Sequence, residues 1–332
     1  MPLVGCGGGG KRHRPARLTL YCGAQLEWCE LASAEFERET GVRVSMTRRS
    51  SGETLAQLWA ERRNPRGDVW WGGTGDGHIQ AAEAKLLEPY RSPRLGELHE
   101  WAVDPEGRGL HHTTGAYMGA LSFAYNRDWL GKKGLDAPRS WADLAKPAYR
   151  GEIQMANPAS SGTAYTVLAT IVQLLGEDRG FAYLEKLDAN VNQYTSSGAA
   201  PVRAAARGET AIAIVFLHDA VVQKSAGFPI EVVLPSEGTG YEIGCASIIR
   251  GARHPDSARR FVDWILGSRA QELGARARSY QWPSNRSARA PALLPPVASV
   301  GLIPFDMGRF GSKRTRARLL SRWERQVRGG AR

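Results

Sequence analysis

Residues 18–46, with the sequence LTLYCGAQLEWCELASAEFERETGVRVSM, contain two strand patterns separated by a helix pattern. The apolar segments 18–22 and 42–46 have the length and composition of short buried strands. Residues 25–40 between them are long enough for a helix and carry apolar residues at helical spacing. A strand, a helix and a second strand in succession predict two parallel strands joined by a crossover helix. The sequence therefore predicts an α/β fold.

The same alternation returns along the rest of the chain. Further strand patterns lie at 68–71, 151–155 and 211–216, and helix patterns cover 52–63, 161–176 and a segment from about 219. Two strongly apolar segments, 116–125 and 243–249, lie far apart in sequence and are candidates for strands that cross between two lobes. A chain of 332 residues with 42% hydrophobic content has the length of about two domains.

The composition is basic, with 44 Lys and Arg against 33 Asp and Glu and a formal net charge of +11. Such an excess is compatible with nucleic acid, an acidic membrane surface or an anionic small ligand. The basic residues are scattered and are densest in the tail 313–332. A tail of this kind is typical of a solvated helix face, so nucleic-acid binding is not expected. The sequence contains no run of eighteen apolar residues, so no membrane span is predicted.

The first sixteen residues are expected to lie outside the fold. The sequence LVGC at 3–6 is followed by four glycines and a basic cluster. Small or aliphatic residues before a cysteine, followed by a glycine-rich tether, are typical of a bacterial lipobox, which predicts a lipid anchor on Cys6 and an extracytoplasmic location. Five residues before Cys6 are too few for a signal peptide, which favours a true start upstream. The alternative is a glycine-rich leader with a chance cysteine.

Two further cysteines are predicted to face one core. Cys22 shares a strand face with Leu20, and Cys29 lies on a helix stripe with Ala32 and Phe36. A disulfide, which suits an exported protein, and two buried free thiols are equally compatible with this pattern. The spacing matches no zinc motif, and neither a metal nor another cofactor is expected.

A Ser-Ser-Gly motif precedes three predicted helices, at 50–52, 160–162 and 196–198, and a glycine-rich turn at 72–77 follows the strand that ends at Trp71. Such turns present hydroxyls and unpaired backbone N–H groups at the positive end of a helix, which suits an oxyanion. In parallel α/β sheets they fall where ligands bind. Each motif alone is also ordinary N-capping, so convergence on one cleft is the distinguishing feature. The candidate anion-binding residues are Ser50, Ser51, Gly52, Gly73, Thr74, Ser160, Ser161, Gly162, Thr163 and Ser197.

Five segments carry a resemblance to a known family: YCGAQ at 21–25, DVWWGGTGD at 68–76, GALSFAYN at 119–126, ANPASSGTAY at 156–165 and GTGYEIG at 238–244. The chain resembles solute-binding proteins of bacterial ABC importers of the ferric-iron-binding type, within the subgroup that binds phosphorylated sugars. The resemblance implies a type II periplasmic-binding-protein fold with two α/β lobes. Each lobe is a mixed, mainly parallel sheet flanked by helices, and hinge strands let the lobes close on a ligand. The implied lobes are 17–115 with 246–292, and 116–245 with 293–332.

The family also implies a set of ligand residues. Ferric-binding members carry two adjacent tyrosines at the end of the strand where this chain has FLHD at 216–219. The sugar-phosphate-binding relatives have a His-Asp pair there and a glutamate farther on, which implies His218, Asp219 and Glu242 as polyol ligands. Carboxylates accept from sugar hydroxyls and imidazole donates or accepts, while the Ser-Gly turns hold the phosphate. Because iron(III) favours anionic oxygen ligands, loss of both phenolates is expected to lower iron affinity.

Structural roles compete with these assignments. In the plain alternative, His218 ends a strand and Asp219 is the N-cap of a helix that starts at Ala220. Glu242 lies on an apolar strand, where an unpaired carboxylate is costly, so a partner or a ligand is expected. Predictions for five other residues follow: Arg49 and Arg203 are minor phosphate candidates, Trp70 and Trp71 are core residues with stacking of one on a sugar face as the alternative, and His78 is a weaker ligand candidate.

Three function classes follow. The first is an extracytoplasmic solute-binding protein that captures a sugar phosphate or a related organophosphate, such as a phosphonate, for an ABC permease. The second is ferric-iron capture through Glu242, Asp219 and His218 with a synergistic anion. The third and least favoured is an enzyme acting on phosphate esters, because the sequence has no Gly-x-Ser-x-Gly elbow, Walker lysine loop or metal cluster of recognisable spacing. The expected partners are a small anionic ligand and the permease, and the protein is expected to be a monomer.

Overall fold

A computed structural model describes residues 16–329, so the predicted anchor at Cys6 lies outside the described residues. The strands are β1 (Arg17–Cys22), β2 (Arg43–Arg48), β3 (Val69–Thr74), β4 (Leu87–Glu88), β5 (Thr114–Asn126), β6 (Ile153–Ala156), β7 (Val191–Thr195), β8 (Ile212–Phe216), β9 (Ile230–Val233), β10 (Tyr241–Ile249) and β11 (Trp282–Pro283). Within the described range, no helix has the length and apolar character that a membrane crossing requires.

The helices surround this sheet. They are α1 (Leu26–Thr40), α2 (Ser51–Glu61), α3 (Gly75–Glu83), α4 (Glu100–Val103), α5 (Arg127–Lys133), α6 (Trp141–Leu144), α7 (Gly162–Leu175), α8 (Glu177–Asp188), α9 (Ala200–Ala206), α10 (Leu217–Ser225), α11 (Pro255–Ile265), α12 (Ser268–Arg276), α13 (Met307–Gly311) and α14 (Lys313–Arg322). A π-helical turn, Trp323–Arg328, continues α14. The predicted strand and helix pairs are therefore present, with bounds that differ by a few residues.

The strands follow one path, β2-β1-β3-β10-β5-β8-β6-β7. Parallel pairs lie at both ends, β1 with β2 and β3, and β6 with β7 and β8. The 13-residue β5 pairs with β10 along its first part and with β8 and β9 along its second. It therefore belongs both to the β1 half of the sheet (β1–β4, β10 and β11) and to the β8 half (β6–β9). The α/β class is confirmed, and the lobe boundaries stay a prediction.

Each half of the sheet has its own apolar core. In the β1 half, Trp71 and Phe261 are fully buried, and the ring of Trp28 stands edge-on to Trp71 at 5.1 Å. In the β8 half, Phe123 and Phe181 are fully buried in a separate core. The sheet is covered on both sides, as the near-continuous apolar strands predict.

Cys22 and Cys29 form a disulfide, which decides between the two alternatives that the sequence left open. Both residues are fully buried in the core of the β1 half. The bridge ties the end of β1 to the first turn of α1.

Loss of this disulfide is expected to lower the free energy of unfolding by about 2–3 kcal/mol, the loop-closure value for so short a loop. The two cysteines are seven positions apart. Urea unfolding of the oxidised and the fully reduced protein measures the difference. The Cys22→Ala/Cys29→Ala variant is the control, because reductant should not move its midpoint. An equal midpoint for oxidised and reduced wild-type protein would contradict the expectation.

Most basic residues of the tail lie on a solvated helix face, as predicted, but the opposite face packs against the protein. Leu319, Trp323 and Val327 are almost fully buried in the core of the β8 half. Their i, i+4, i+8 spacing places them on one face of the helix. The arginines between them pair with acidic residues, as Arg322 does with Asp178 at 2.8 Å. The many basic residues of the tail drew attention away from the apolar stripe formed by Leu319, Trp323 and Val327.

Candidate functional site

The Ser-Gly turns before α2 and α7 meet the turn between β3 and α3. The N–H and the hydroxyl of Thr74 both donate to Ser51 Oγ, at 2.9 and 3.2 Å. A Cβ added to Gly162 would overlap Thr74 Oγ1, and one added to Gly52 would lie 3.7 Å from the carbonyl oxygen of Ser160. The structure therefore brings together turns that belong to opposite halves of the sheet.

The fourth turn, at 196–198, joins the same group. A Cβ added to Gly198 would overlap Thr163 Oγ1 and would lie 3.2 Å from Ser161 Oγ. The carbonyl of Ser197 accepts a hydrogen bond from the Thr195 hydroxyl at 2.9 Å, which orders the turn before α9. All four predicted turns are thus in contact, the arrangement that distinguishes a common binding site from four unrelated helix caps.

Only some polar groups of these turns remain free to donate. Ser51 Oγ accepts two hydrogen bonds from Thr74, so its own hydrogen is available to an anion. The amide N–H groups of Gly162 and Thr163 stand in the first turn of α7, where an α-helix supplies no acceptor. The N–H of Gly73, by contrast, donates to Tyr117 Oη at 2.9 Å. The Ser51 hydroxyl and the start of α7 are therefore the strongest donors.

Three of the candidate serines form local hydrogen bonds, two of them as helix caps. The Ser50 hydroxyl and the Glu53 side chain form a capping box at the start of α2. Ser161 Oγ accepts from the N–H of Ala164 at 3.4 Å, and the Ser160 hydroxyl donates to the Asn157 carbonyl at 3.4 Å. These contacts favour structural roles for the three hydroxyls.

The two arginine candidates differ in position. Arg49 is half-buried next to Ser50, and its Nε is buried without a hydrogen-bond partner among residues 16–329. Arg203 is exposed on α9. An unpaired buried N–H is costly, so Arg49 is the better candidate for contact with an anion.

Trp70, Trp71 and His78 are core residues. Both tryptophans are fully buried, as predicted, and neither offers a face to a ligand. His78 stacks on Trp70 at 3.8 Å, and its ring nitrogens lie 2.8 Å from Ser247 Oγ and 3.1 Å from the Gly72 carbonyl oxygen. Burial lowers the pKa of His78 to about 3, which keeps the ring neutral. His78 therefore supports the turn after β3 and has no nitrogen free for a ligand.

The His-Asp pair lies inside a helix. Because α10 begins at Leu217 and its N-cap is Phe216, Asp219 is not the capping residue, and that structural alternative was wrong. His218 Nε2 lies 3.7 Å from Asp219 Oδ2 and 3.9 Å from Glu242 Oε1. Both separations exceed hydrogen-bonding distance. The side chains of His218, Asp219 and Glu242 are therefore close together but form no hydrogen bonds with one another.

A glycine in β5 leaves space for the side chains of His218 and Glu242. A Cβ added to Gly119 in β5 would lie 2.7 Å from His218 Nδ1 and 3.2 Å from Glu242 Oε1. The imidazole therefore rests directly against the backbone of β5, and its Nδ1 is buried without a partner among the described residues. Sequence reasoning did not single out Gly119, which occurred only within a segment that carried the family resemblance.

The Glu242 carboxyl has no hydrogen-bond partner among the described residues. Glu242 is 5% exposed, and its Oε1 lies 3.9 Å from His218 Nε2, beyond hydrogen-bonding distance. Its carboxyl borders a small cavity together with Thr74, Asp76 and Tyr165. We call the region between the turns at Thr74 and Gly162 and the side chains of His218 and Glu242 the cleft.

Burial determines the protonation states of Glu242 and His218. It raises the pKa of Glu242 well above the usual value, and the nearby carboxylates of Asp219 and Asp76 raise it further. Burial lowers the pKa of His218, an effect that Asp219 opposes. The imidazole is therefore neutral and the Glu242 carboxyl is protonated well above the pH at which an exposed glutamate ionises. Groups in these forms can both donate to and accept from hydroxyls.

A glutamine spans the cleft beside the His-Asp pair. Gln25, at the start of α1, donates through Nε2 to Asp219 Oδ1 at 3.3 Å. Its Oε1 accepts from Ser279 Oγ at 2.6 Å and from Gln281 Nε2 at 3.0 Å, which fixes the orientation of the amide. Sequence reasoning missed Gln25, because its partners are about 190 and 250 residues away.

Within residues 16–329, no group of three or more His, Cys, Asp or Glu side chains is arranged to hold a metal ion. His218, Asp219 and Glu242 are close together but do not form such a group.

The model of a family described as bacterial extracellular solute-binding proteins matches residues 76–299. The chain belongs to this family. It is 42% identical over 321 residues to an uncharacterized protein of Haemophilus influenzae, a match that covers 96% of this chain and 92% of the relative. The family prediction is therefore confirmed.

Two solved structures show how far the likeness extends. The periplasmic binding protein AfuA from Actinobacillus pleuropneumoniae, with exogenous fructose-6-phosphate bound, superposes with a TM-score of 0.92 at 42% identity. The periplasmic binding protein P5PA superposes with a TM-score of 0.90 at 39% identity. Each match covers 94% of this chain and 99% of the other. The predicted type II fold is confirmed, and membership of the family implies a solute as ligand, a place outside the cytoplasm and a membrane permease as partner.

Proposed function

We propose that this solute-binding protein captures a phosphorylated polyol, such as a sugar phosphate, in the cleft and delivers it to an ABC permease. One observation carries the proposal. The buried carboxyl of Glu242 forms no hydrogen bond with any of the described residues, and Thr74, where the Ser-Gly turns converge, borders the same cavity as Glu242. An unsatisfied buried carboxyl beside a set of free donors calls for a ligand with two chemically different ends.

One end of the cleft offers hydrogen-bond donors, and the other end offers acceptors. The Ser51 hydroxyl and the first-turn amides of α7 donate, and the positive end of that helix dipole favours an anion. His218, Asp219 and Glu242 supply acceptors that suit hydroxyl groups, and the Asp219 carboxylate would repel a phosphate. Backbone N–H groups in turn cannot accept from hydroxyls. A phosphate at the turns and a polyol at the His-Asp-Glu group satisfy both ends.

The likeness to AfuA supports the same ligand class. At 42% identity over nearly the whole chain, a structure with fructose-6-phosphate bound makes sugar phosphates the first ligands to examine. We infer further that the protein is a monomeric binding protein and not an enzyme. Incubation with fructose 6-phosphate should release no inorganic phosphate, whereas steady release would contradict the binding role.

Two variants separate the two ends of the ligand. Asp219→Asn is expected to weaken binding of fructose 6-phosphate about tenfold or more, because a charged acceptor of hydroxyls is lost. It should leave the response to inorganic phosphate unchanged. Thr163→Val, which removes a hydroxyl at the start of α7 without changing the side-chain shape, should weaken binding of both ligands. Titration calorimetry with the two ligands measures these effects.

Asp256→Asn is the matched control, because the Asp256 side chain is 97% exposed on α11. It should bind both ligands as the wild type does. Wild-type affinity of Asp219→Asn for fructose 6-phosphate would contradict the assigned role. So would an equal loss of inorganic phosphate binding in that variant.

A further inference from the structure

A buried ion pair lies beside the cleft, and the proposed function makes no use of it. Arg316 Nη1 lies 2.6 Å from Asp76 Oδ2, and the two side chains are 12% and 9% exposed. The guanidinium carbon is 4.2 Å from the ring centroid of Tyr165, and Nη2 donates to the carbonyl of Pro158 at 3.5 Å. The pair joins α14, at the end of the chain, to α3 in the β1 half.

Asp76 lies next to the turns that are proposed to hold the phosphate. It lies two residues after Thr74, and its side chain borders the same cavity as Glu242. Its second oxygen, Oδ1, is buried without a hydrogen-bond partner among residues 16–329. A carboxylate at this point would repel an anion held by the neighbouring turns, and burial strengthens that repulsion because little water screens it.

Arg316 is fixed in position by the packing of α14. Leu319 anchors the helix in the core of the β8 half, and Arg322 pairs with Asp178 in α8. At the other end, the N–H of Lys313 donates to Glu83 Oε2 in α3 at 2.9 Å. The guanidinium is therefore held over Tyr165 and against Asp76 by its surroundings on both sides.

We propose that Arg316 makes the cleft acceptable to an anion by compensating the charge of Asp76. It is a positioning residue, which acts on the ligand through Asp76, and the inference rests on the proposed capture of a phosphate ester. A different role for the same contact is a latch that holds α14 against α3. Charge compensation predicts that loss of the Asp76 carboxylate leaves binding as tight or tighter. The latch predicts that the same loss weakens binding.

Substitution at both positions separates the two roles in the full-length protein. Arg316→Gln is expected to weaken fructose 6-phosphate binding at least tenfold, because Asp76 then faces the phosphate uncompensated. Asp76→Asn should bind at least as tightly as the wild type, because one negative charge is removed and the guanidinium remains. The double variant should recover to within about threefold of the wild type, a difference of about 0.7 kcal/mol in binding free energy. Titration calorimetry measures all four proteins.

The matched control is Arg314→Gln on the same helix, because Arg314 is exposed. It should leave the affinity unchanged. Asp76→Asn keeps the proposal testable if Arg316→Gln does not fold. Weaker binding by Asp76→Asn, a double variant as weak as Arg316→Gln, or wild-type affinity of Arg316→Gln would overturn charge compensation. Failure of the wild type to bind any phosphate ester would instead overturn the proposed function, and would be seen before any variant is compared.

Discussion

Replacement of Gly162 by alanine is expected to lower the affinity for fructose 6-phosphate about 10- to 100-fold, the range that a forced overlap of 1–3 kcal/mol produces. The new Cβ would overlap Thr74 Oγ1 and would lie 2.7 Å from Thr74 Cγ2, so the start of α7 and the turn after β3 could not approach each other as they do here. Alanine is a good helix residue, so the fold should remain. Calorimetry gives the affinity, and circular dichroism checks the fold.

Gly131→Ala is the control for this variant. Gly131 lies in α5, and a Cβ there would meet nothing within 4 Å. Its affinity should equal that of the wild type. If Gly162→Ala also binds as the wild type does, contact between the two turns is not required for capture, and the convergence argument is wrong.

Glu242→Gln is expected to have two effects of opposite sign. The affinity for fructose 6-phosphate should fall about tenfold or more, because the carboxyl that is proposed to receive the polyol is replaced. The ligand-free protein should become more stable above about pH 5. Burial raises the folded-state pKa of Glu242, so the wild type binds a proton that the unfolded chain has released. Wild-type stability therefore falls by up to about 1.4 kcal/mol per pH unit between the unfolded and folded pKa values, and glutamine removes this loss.

Urea unfolding of both proteins at several values between pH 4 and pH 8 measures the second effect. The difference in unfolding free energy should be small at pH 4 and should grow with pH. Glu30→Gln, at an exposed position in α1, should follow the wild type throughout. A constant difference between Glu242→Gln and the wild type would contradict the raised pKa.

The fold could be predicted because its signals are local. The strand, helix and strand of 18–46 appear as β1, α1 and β2, and the segment 116–125 forms most of the shared strand β5. The start of α10 was placed about two residues late, since Leu217 continues the apolar run of β8 and the helix has no side-chain cap to mark its beginning. That error matters, because it made Asp219 resemble a capping residue.

The candidate site could be predicted only in part. The Ser-Gly turns are visible in the sequence, and the family resemblance supplied His218 and Glu242. Arg316 carries no such signal, because its pairing with Asp76 joins residues 240 positions apart and the tail looks merely basic. Gln25 and its partners are separated in the same way. Contacts of this kind depend on the assembly of the two halves of the sheet, which no local pattern encodes.

The most direct test of phosphate-ester capture is a calorimetric titration of the full-length protein with fructose 6-phosphate, compared with fructose and ferric citrate. We expect saturable binding of one fructose 6-phosphate per chain and no measurable binding of fructose, because the turns at Thr74 and Gly162 would lack their anion. Equal binding of fructose and its phosphate, or binding of ferric citrate alone, would contradict the proposed function.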